Sequence, residues 1–176
     1  MTTRVIGLDL SLTSTGVASS LGWTERVKSQ PGSGDVFDRL RSIRARVLDF
    51  AKGADLVVVE ALAISRQTGQ HLTRAGLWHL VMEAVDSTGV PWAAVTPTSL
   101  KKYATGKGNA GKDEVLLAAA RRFPGWEVSG NDEADALVLA AMGADWLGEP
   151  IAPMPATHRA ALAKVTWPEV VVREVA

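Results

Sequence analysis

Arg4–Val17 reads RVIGLDLSLTSTGV, and the fold is decided there. Val5, Ile6 and Leu8 make an apolar run of the kind that forms a buried strand, and Asp9 closes it. Taking a carboxylate out of water in such a run costs several kcal/mol unless a cation or hydrogen bonds compensate. Ser11, Thr13, Ser14, Thr15 and Gly16 then suit a turn that feeds a second strand. An acid at the tip of a core strand beside a tight turn suggests a metal or phosphate site. The plainer explanation, an Asp bonded to local backbone, weakens as further acids of the same kind emerge along the chain.

The chain's 176 residues fit one domain, and 47% hydrophobic content suffices for a sizeable core. Its lack of cysteine excludes disulfides and thiolate metal sites and agrees with a reducing, cytoplasmic location. No long uncharged apolar run follows the N-terminus, so neither a signal peptide nor a membrane span is expected. Net charge is zero, but its distribution is uneven. Residues 101–122 hold six basic residues against two acids, whereas residues 125–149 hold six acids and no Lys or Arg. A neutral total can thus hide a basic contact surface beside an acidic pocket, the polarity of a metal-dependent nuclease.

Outward from the first strand, residues 16–20 and 23–28 read as a hairpin around Leu21-Gly22, followed by a loop over 29–34. Residues 35–50 read as an amphipathic helix with Val36, Leu40, Ile43, Val47 and Phe50 on one stripe. Arg39, Arg41, Arg44 and Arg46 fall mostly on its wetter side. Leu56–Val59 is a short β-branched strand, and Glu60 follows at once as a second acid at a core strand's end. Thr68 to Val85 reads as a helix apolar nearly all round, either deeply buried or shared with a partner subunit. Gly69 and Gly76 suit close packing in it, and His71 and His79 read as packing or surface residues.

A strand over Val90–Val95 leads to Thr96-Pro97, a helix cap followed by proline at the first helical position. A Gly-rich loop, residues 104–111, carries Lys107, and Lys112 opens the next helix. It lacks the residue order of a P-loop. A basic loop gripping a DNA backbone is the alternative, since Lys pairs with phosphate oxygens and releases counterions. The last long helix begins NDEADALVLA at Asn131. Helix-dipole complementarity accounts for Asp132 and Glu133 but less well for Asp135. Asp132 and Asp135, three apart, project from one face. The chain turns Pro-rich after Leu147, which divides it into residues 1–147 and a C-terminal extension, 148–176. The extension carries a short helical pattern around 160–165, Trp167-Pro168 and the stretch 170–172; its role stays open at this level.

If Asp9, Glu60, Asp132 and Asp135 converge, bound cations give their low-cost state at neutral pH. Mg²⁺ prefers oxygen ligands and retained waters, and two such ions ~3.5–4 Å apart can activate a water against a phosphodiester. No His/Cys constellation suits zinc, and no serine or cysteine triad can be assembled.

The stretches GLDLSLTSTGVA, VVVEALAI, VTPTSLKKYATGKGNAGK and NDEADALVLA, in this order, resemble the RuvC family of Holliday-junction resolvases, within the RNase H-like superfamily. The resemblance spans residues 5–147. It implies an α/β, RNase H-like fold with a five-stranded mixed sheet flanked by helices. It further implies a Mg²⁺-dependent homodimer, Mn²⁺ substituting, that nicks opposed strands of branched DNA such as four-way junctions and leaves 5′-phosphate and 3′-hydroxyl ends. By motif position, Asp9, Glu60, Asp132 and Asp135 are the expected ligands of two ions. Lys112 and one of Lys101, Lys102 or Lys107 are expected at the scissile phosphate, and helix Thr68 to Val85 at the dimer interface. This chain has Asp9-Leu10-Ser11 where bacterial members commonly have Asp-Pro-Gly, and Ala61 to Ile64 where many carry an aromatic wedge. Those departures suit a relaxed, structure-selective, phage-type nuclease. A non-catalytic branched-DNA-binding module and an RNA-directed nuclease of related fold are the alternatives. The first stretch also resembles the phosphate loop of actin-like and sugar-kinase ATPases, whose second lobe 176 residues can hardly supply.

Overall fold

A computed structural model describes residues 3–29, 35–62 and 70–169. β1 (Val5–Asp9), β2 (Ser14–Ser19), β3 (Trp23–Lys28), β4 (Leu56–Glu60) and β5 (Trp92–Val95) form one sheet in the order β3-β2-β1-β4-β5. The β1–β2 and β2–β3 pairings are antiparallel; β1–β4 and β4–β5 are parallel, giving the five-stranded mixed sheet expected. Gly22, at φ 101°, turns the β2–β3 hairpin, a conformation that favours glycine.

Strand alternation divides the core between the sheet's two faces. On one, Ile6, Leu8, Val17, Val27, Val57 and Val59 pack against α1 (Val36–Ala51) and α2 (His71–Asp86). Burying each such side chain contributes roughly 1.5–3 kcal/mol. On the other face, Val5, Val58, Ala93 and Val95 pack toward α5 (Asn131–Trp146) and the shorter helices α3 (Pro97–Thr105) and α4 (Lys112–Arg122). The cap read from Thr96 forms: its side chain accepts from the Ser99 amide at 3.2 Å, with Pro97 next in line.

Three expectations need correction. The buried stripe of α1 is Leu40, Ile43, Val47 and Ala51, whereas Val36, on the same face but in the first turn, is 44% exposed. Arg39 is not simply solvated: it donates to the Ser29 hydroxyl at 2.9 Å and to the Leu12 carbonyl, bracing the turn after Asp9. Gly76, expected to allow close packing in α2, faces open space, and Leu72 of the same helix is 81% exposed, so within this one chain α2 is not deeply buried all round. Residues 68 and 69 of the expected helix, residues 63 and 64, residues 30–34 of the loop and the stretch 170–172 lie outside the described residues.

The C-terminal segment packs back on the domain. It contains α6 (Ala156–Arg159) and a 3₁₀ turn (Leu162–Lys164), and it buries Ala161 and Val165 in the α5-side core. Trp167 stacks on Trp146 with ring centroids 4.8 Å apart and planes 9° from parallel. The Asp145 carboxylate, buried at the end of α5, accepts from the Tyr103 hydroxyl at 3.0 Å and pairs with Arg159 at 2.8 Å. Among the described residues no helix is long and apolar enough to cross a membrane.

Candidate active site

The β1–β4 register sets the first two acids side by side. Leu8 lies opposite Val59, and one step further along each strand stand Asp9 and Glu60. Alternation turns both toward the α5 face, because Gly7 and Val58, two residues back, are on that face. The Trp78 indole donates to the Glu60 carbonyl at 2.9 Å and fixes the end of β4. The turn after Asp9 is held by its own hydroxyls: Thr15 Oγ1 donates to the Ser11 carbonyl at 2.8 Å and accepts from the Ser11 amide at 3.1 Å.

The other two acids come from the first turns of α5, which lies unusually close to the sheet. A Cβ on Gly7 would stand 1.9 Å from the Ala136 carbonyl oxygen, and one on Gly16 1.9 Å from that of Asp132. Gly16 pairs with Asp9 across β1 and β2, so this contact brings Asp132 to the tip of β1. The helix start is also clamped. Glu133, buried between the two acids in sequence, pairs with Arg26 of β3 at 3.0 Å and accepts from the Ser129 amide at 2.6 Å. Arg26 also donates to the Ser129 hydroxyl at 2.9 Å.

Asp9, Glu60, Asp132 and Asp135 therefore line one cleft of about 360 Å³, together with Arg74, Lys101 and Lys112. Among the described residues none of the four carboxylates accepts a hydrogen bond or joins an ion pair. The consequence is electrostatic. Burial, then the charges of Glu60, Asp135 and Asp132, raise the Asp9 carboxyl well above the usual carboxylate range, against the pull of Arg74. Burial likewise raises Glu60, opposed by Arg74, Lys112 and Lys101. Asp135 is pushed up to about 7 by burial and by Glu60 and Asp132, with Lys112 and Lys101 opposing.

Crowded carboxylates, with Asp9 buried, the other three half-buried and none bonded among the described residues, fit a hard divalent cation, which would supply the missing positive charge. Among the described residues no three His, Asp or Glu side chains close up into a ready ligand set. They frame a site rather than a cage, which suits an ion that keeps waters and takes substrate oxygens.

No family model matches the chain. Among curated proteins, the crossover junction endodeoxyribonuclease RuvC of Rhizobium rhizogenes is 28% identical over 148 residues, covering 79% of this chain and 87% of that protein. The RuvC of Allorhizobium ampelinum is 27% identical over 146 residues, covering 78% and 86%. The solved structure of Thermus thermophilus RuvC superposes with a TM-score of 0.67 at 26% identity, over 86% of this chain and 99% of that one. A second, of T. thermophilus RuvC in complex with Holliday junction substrate, gives 0.67 at 25% identity, over 87% and 99%. In sequence and in fold the chain is similar to the RuvC family. Its sheet and helices are the RNase H-like fold of that family.

Of the basic residues expected at the RuvC-type site, Lys101 and Lys112 line the acidic cleft, whereas Lys102 and Lys107 do not. Lys107 instead lines a second cleft on the far side of the α3–α4 loop. Three participants escape the sequence reading. Arg74 and His71, one turn apart near the start of α2, both line the acidic cleft. Their signal was a pair of polar residues three apart opening an otherwise apolar helix. The Arg26–Glu133 clamp joins residues far apart in sequence, and no local pattern announces it.

Proposed function

We propose that the chain is a divalent-metal-dependent endodeoxyribonuclease that resolves Holliday junctions and related branched DNA by hydrolysing phosphodiester bonds. The curated relatives are named crossover junction endodeoxyribonucleases, and one similar structure holds Holliday junction substrate. The observation that carries the reading is the gathering of carboxylates from β1, β4 and α5 on one cleft beside Arg74, Lys101 and Lys112.

In this reading Asp9, Glu60, Asp132 and Asp135 hold two Mg²⁺ ions per site, with Mn²⁺ able to substitute. Bound there, the ions supply the positive charge that activates water and stabilises the departing oxygen. Lys112 and Lys101 grip the phosphates flanking the scissile bond and set the strand in line for attack. Water adds to phosphorus, the bond to the 3′ oxygen breaks, and the ends are 5′-phosphate and 3′-hydroxyl. Arg74 faces Asp9 and Glu60 and tempers the repulsion between them. Residues 1–147 carry this chemistry and 148–176 form an extension. A homodimer through the helix of residues 68–85 presents two sites to opposed strands. The 81% exposure of Leu72 and the open space beside Gly76 support a partner there. The cysteine-free composition supports action in the cytoplasm.

The test is cleavage of four-way, three-way, flap and linear duplex DNA, each with Mg²⁺ and with EDTA. Opposed-strand nicking of the four-way junction in Mg²⁺ alone is expected. Equal cutting of linear duplex, or cutting in EDTA, overturns the reading.

A further inference from the structure

A second cleft, of about 730 Å³, lies apart from the acidic one. It lies between the α3–α4 loop, the outer side of α4 and the C-terminal extension, and Lys107, Arg121, Arg122 and His158 line it against a single acid, Glu114. Glu114 is already engaged, accepting from the Gly111 amide at 2.7 Å at the start of α4. Among the described residues neither Arg121 nor Arg122 pairs with a carboxylate. Two arginines in a last helical turn complement the helix dipole. That role needs neither a cleft nor a lysine and a histidine facing them across it.

The extension builds the far wall. Ala152 and Pro153 line it, and Arg122 is steadied over it by the Pro153 carbonyl at 3.4 Å and Met154 Sδ at 3.2 Å. His158 donates through Nδ1 to the Tyr103 carbonyl at 2.8 Å, while its ring lies against Gly106, where a Cβ would meet Nε2 at 2.9 Å. Gly106 has φ +83° and leads directly into Lys107, so the extension backs the turn that presents this lysine.

We propose that this cleft is a second phosphate-binding site, which grips the backbone of the DNA arm running out from the cleavage site. The inference rests on the proposed function. Helix α4 links the two clefts: Lys112 lies in the acidic one, and Arg121 lies nine residues on in the basic one. Nine residues of helix rise about 14 Å, close to four base pairs of duplex at about 3.4 Å per step. Those nine residues also turn through about 900°, so Lys112 and Arg121 leave opposite sides of α4, and a backbone held by both runs around the helix rather than straight along it. The extension, whose purpose the sequence leaves open, thus completes a grip on DNA outside the catalytic cleft.

The experiment measures binding of a fluorescent four-way junction to the full chain, in the Asp9→Asn background, between 50 and 200 mM salt. Arg121→Ala/Arg122→Ala should flatten the log–log salt dependence by close to two, each lost phosphate contact removing about 0.9. The loss of affinity across that salt range then becomes roughly tenfold smaller. Arg122→Lys should keep the original slope, and the thermal midpoint should not move. If the double variant melts early, Arg121→Ala alone carries the test with half the change in slope. An unchanged slope in a folded variant, with parental binding intact, overturns this inference and leaves the proposed function standing. Absence of junction binding by the parent protein takes both down.

Discussion

On the α1/α2 side of the sheet, Ile6, Leu8, Val57 and Val59 meet Leu40, Ile43, Val47 and Leu77 through interleaved aliphatic side chains. On the α5 side, the same strands meet main chain at Gly7 and Gly16, so close that no Cβ fits between strand and helix. The first contact is adjustable, because side chains can repack around a lost methyl. The second is not, because backbone has nothing to retract. The four acids all stand on the unadjustable side, where the separation of β1, β4 and α5 is set by peptide groups.

Breaking the chemistry without touching either contact should have the largest effect. Asp9→Asn or Asp135→Asn is expected to lower Mg²⁺-dependent cutting roughly a thousandfold or more while junction binding survives. Cutting at the parental rate by either variant removes these acids from the reaction. Gly16→Ala tests the close contact itself. Its added methyl must push α5 off the sheet, costing about 3 kcal/mol or more and lowering cleavage with it. A variant that melts and cuts like the parent shows the contact to be adjustable after all.

The crowded acids make a third comparison, between pH values. The Asp135 carboxyl, ordinarily near 3.8, titrates at about 7 in the folded protein. The folded state therefore holds a proton that the unfolded chain has released between these values, and metal-free stability falls as pH rises through that window. The loss, no more than about 4 kcal/mol from this group, levels off above pH 7. Melts in EDTA at pH 5 and pH 8 should show the drop, and Mg²⁺ at pH 8 should reverse it. A midpoint that rises with pH contradicts the site. On the opposite face, Ile43→Val should cost only about 1 kcal/mol and leave cleavage and its metal dependence unchanged.

This contrast also governs what could be read from the sequence. The strands, the helices of the α5 side and all four acids were legible, because an apolar run ending in Asp or Glu, or Asp-x-x-Asp opening an apolar helix, is a local signal. Gly16 read as a turn residue; its contact with Asp132 depends on a helix more than a hundred residues away. Arg26 read as an outer-strand residue for the same reason, although it pairs with Glu133. Lys112 was singled out in the sequence, but Lys101, Lys102 and Lys107 were interchangeable there, and helical phase and the following loop send them to different places. The extension was opaque because its buried residues, Ala161 and Val165, are too sparse to show a period.

The pairing of Leu8 with Val59 makes the acidic cleft report on whether the chain has folded correctly. Slide β4 by a single residue, and the Glu60 carboxylate swings among the aliphatic side chains of the other face while a valine takes its place beside Asp9. The same hydrogen bonds that join the two strands thus discard any misaligned copy. A misthreaded molecule is left both unstable and without its full set of gathered carboxylates.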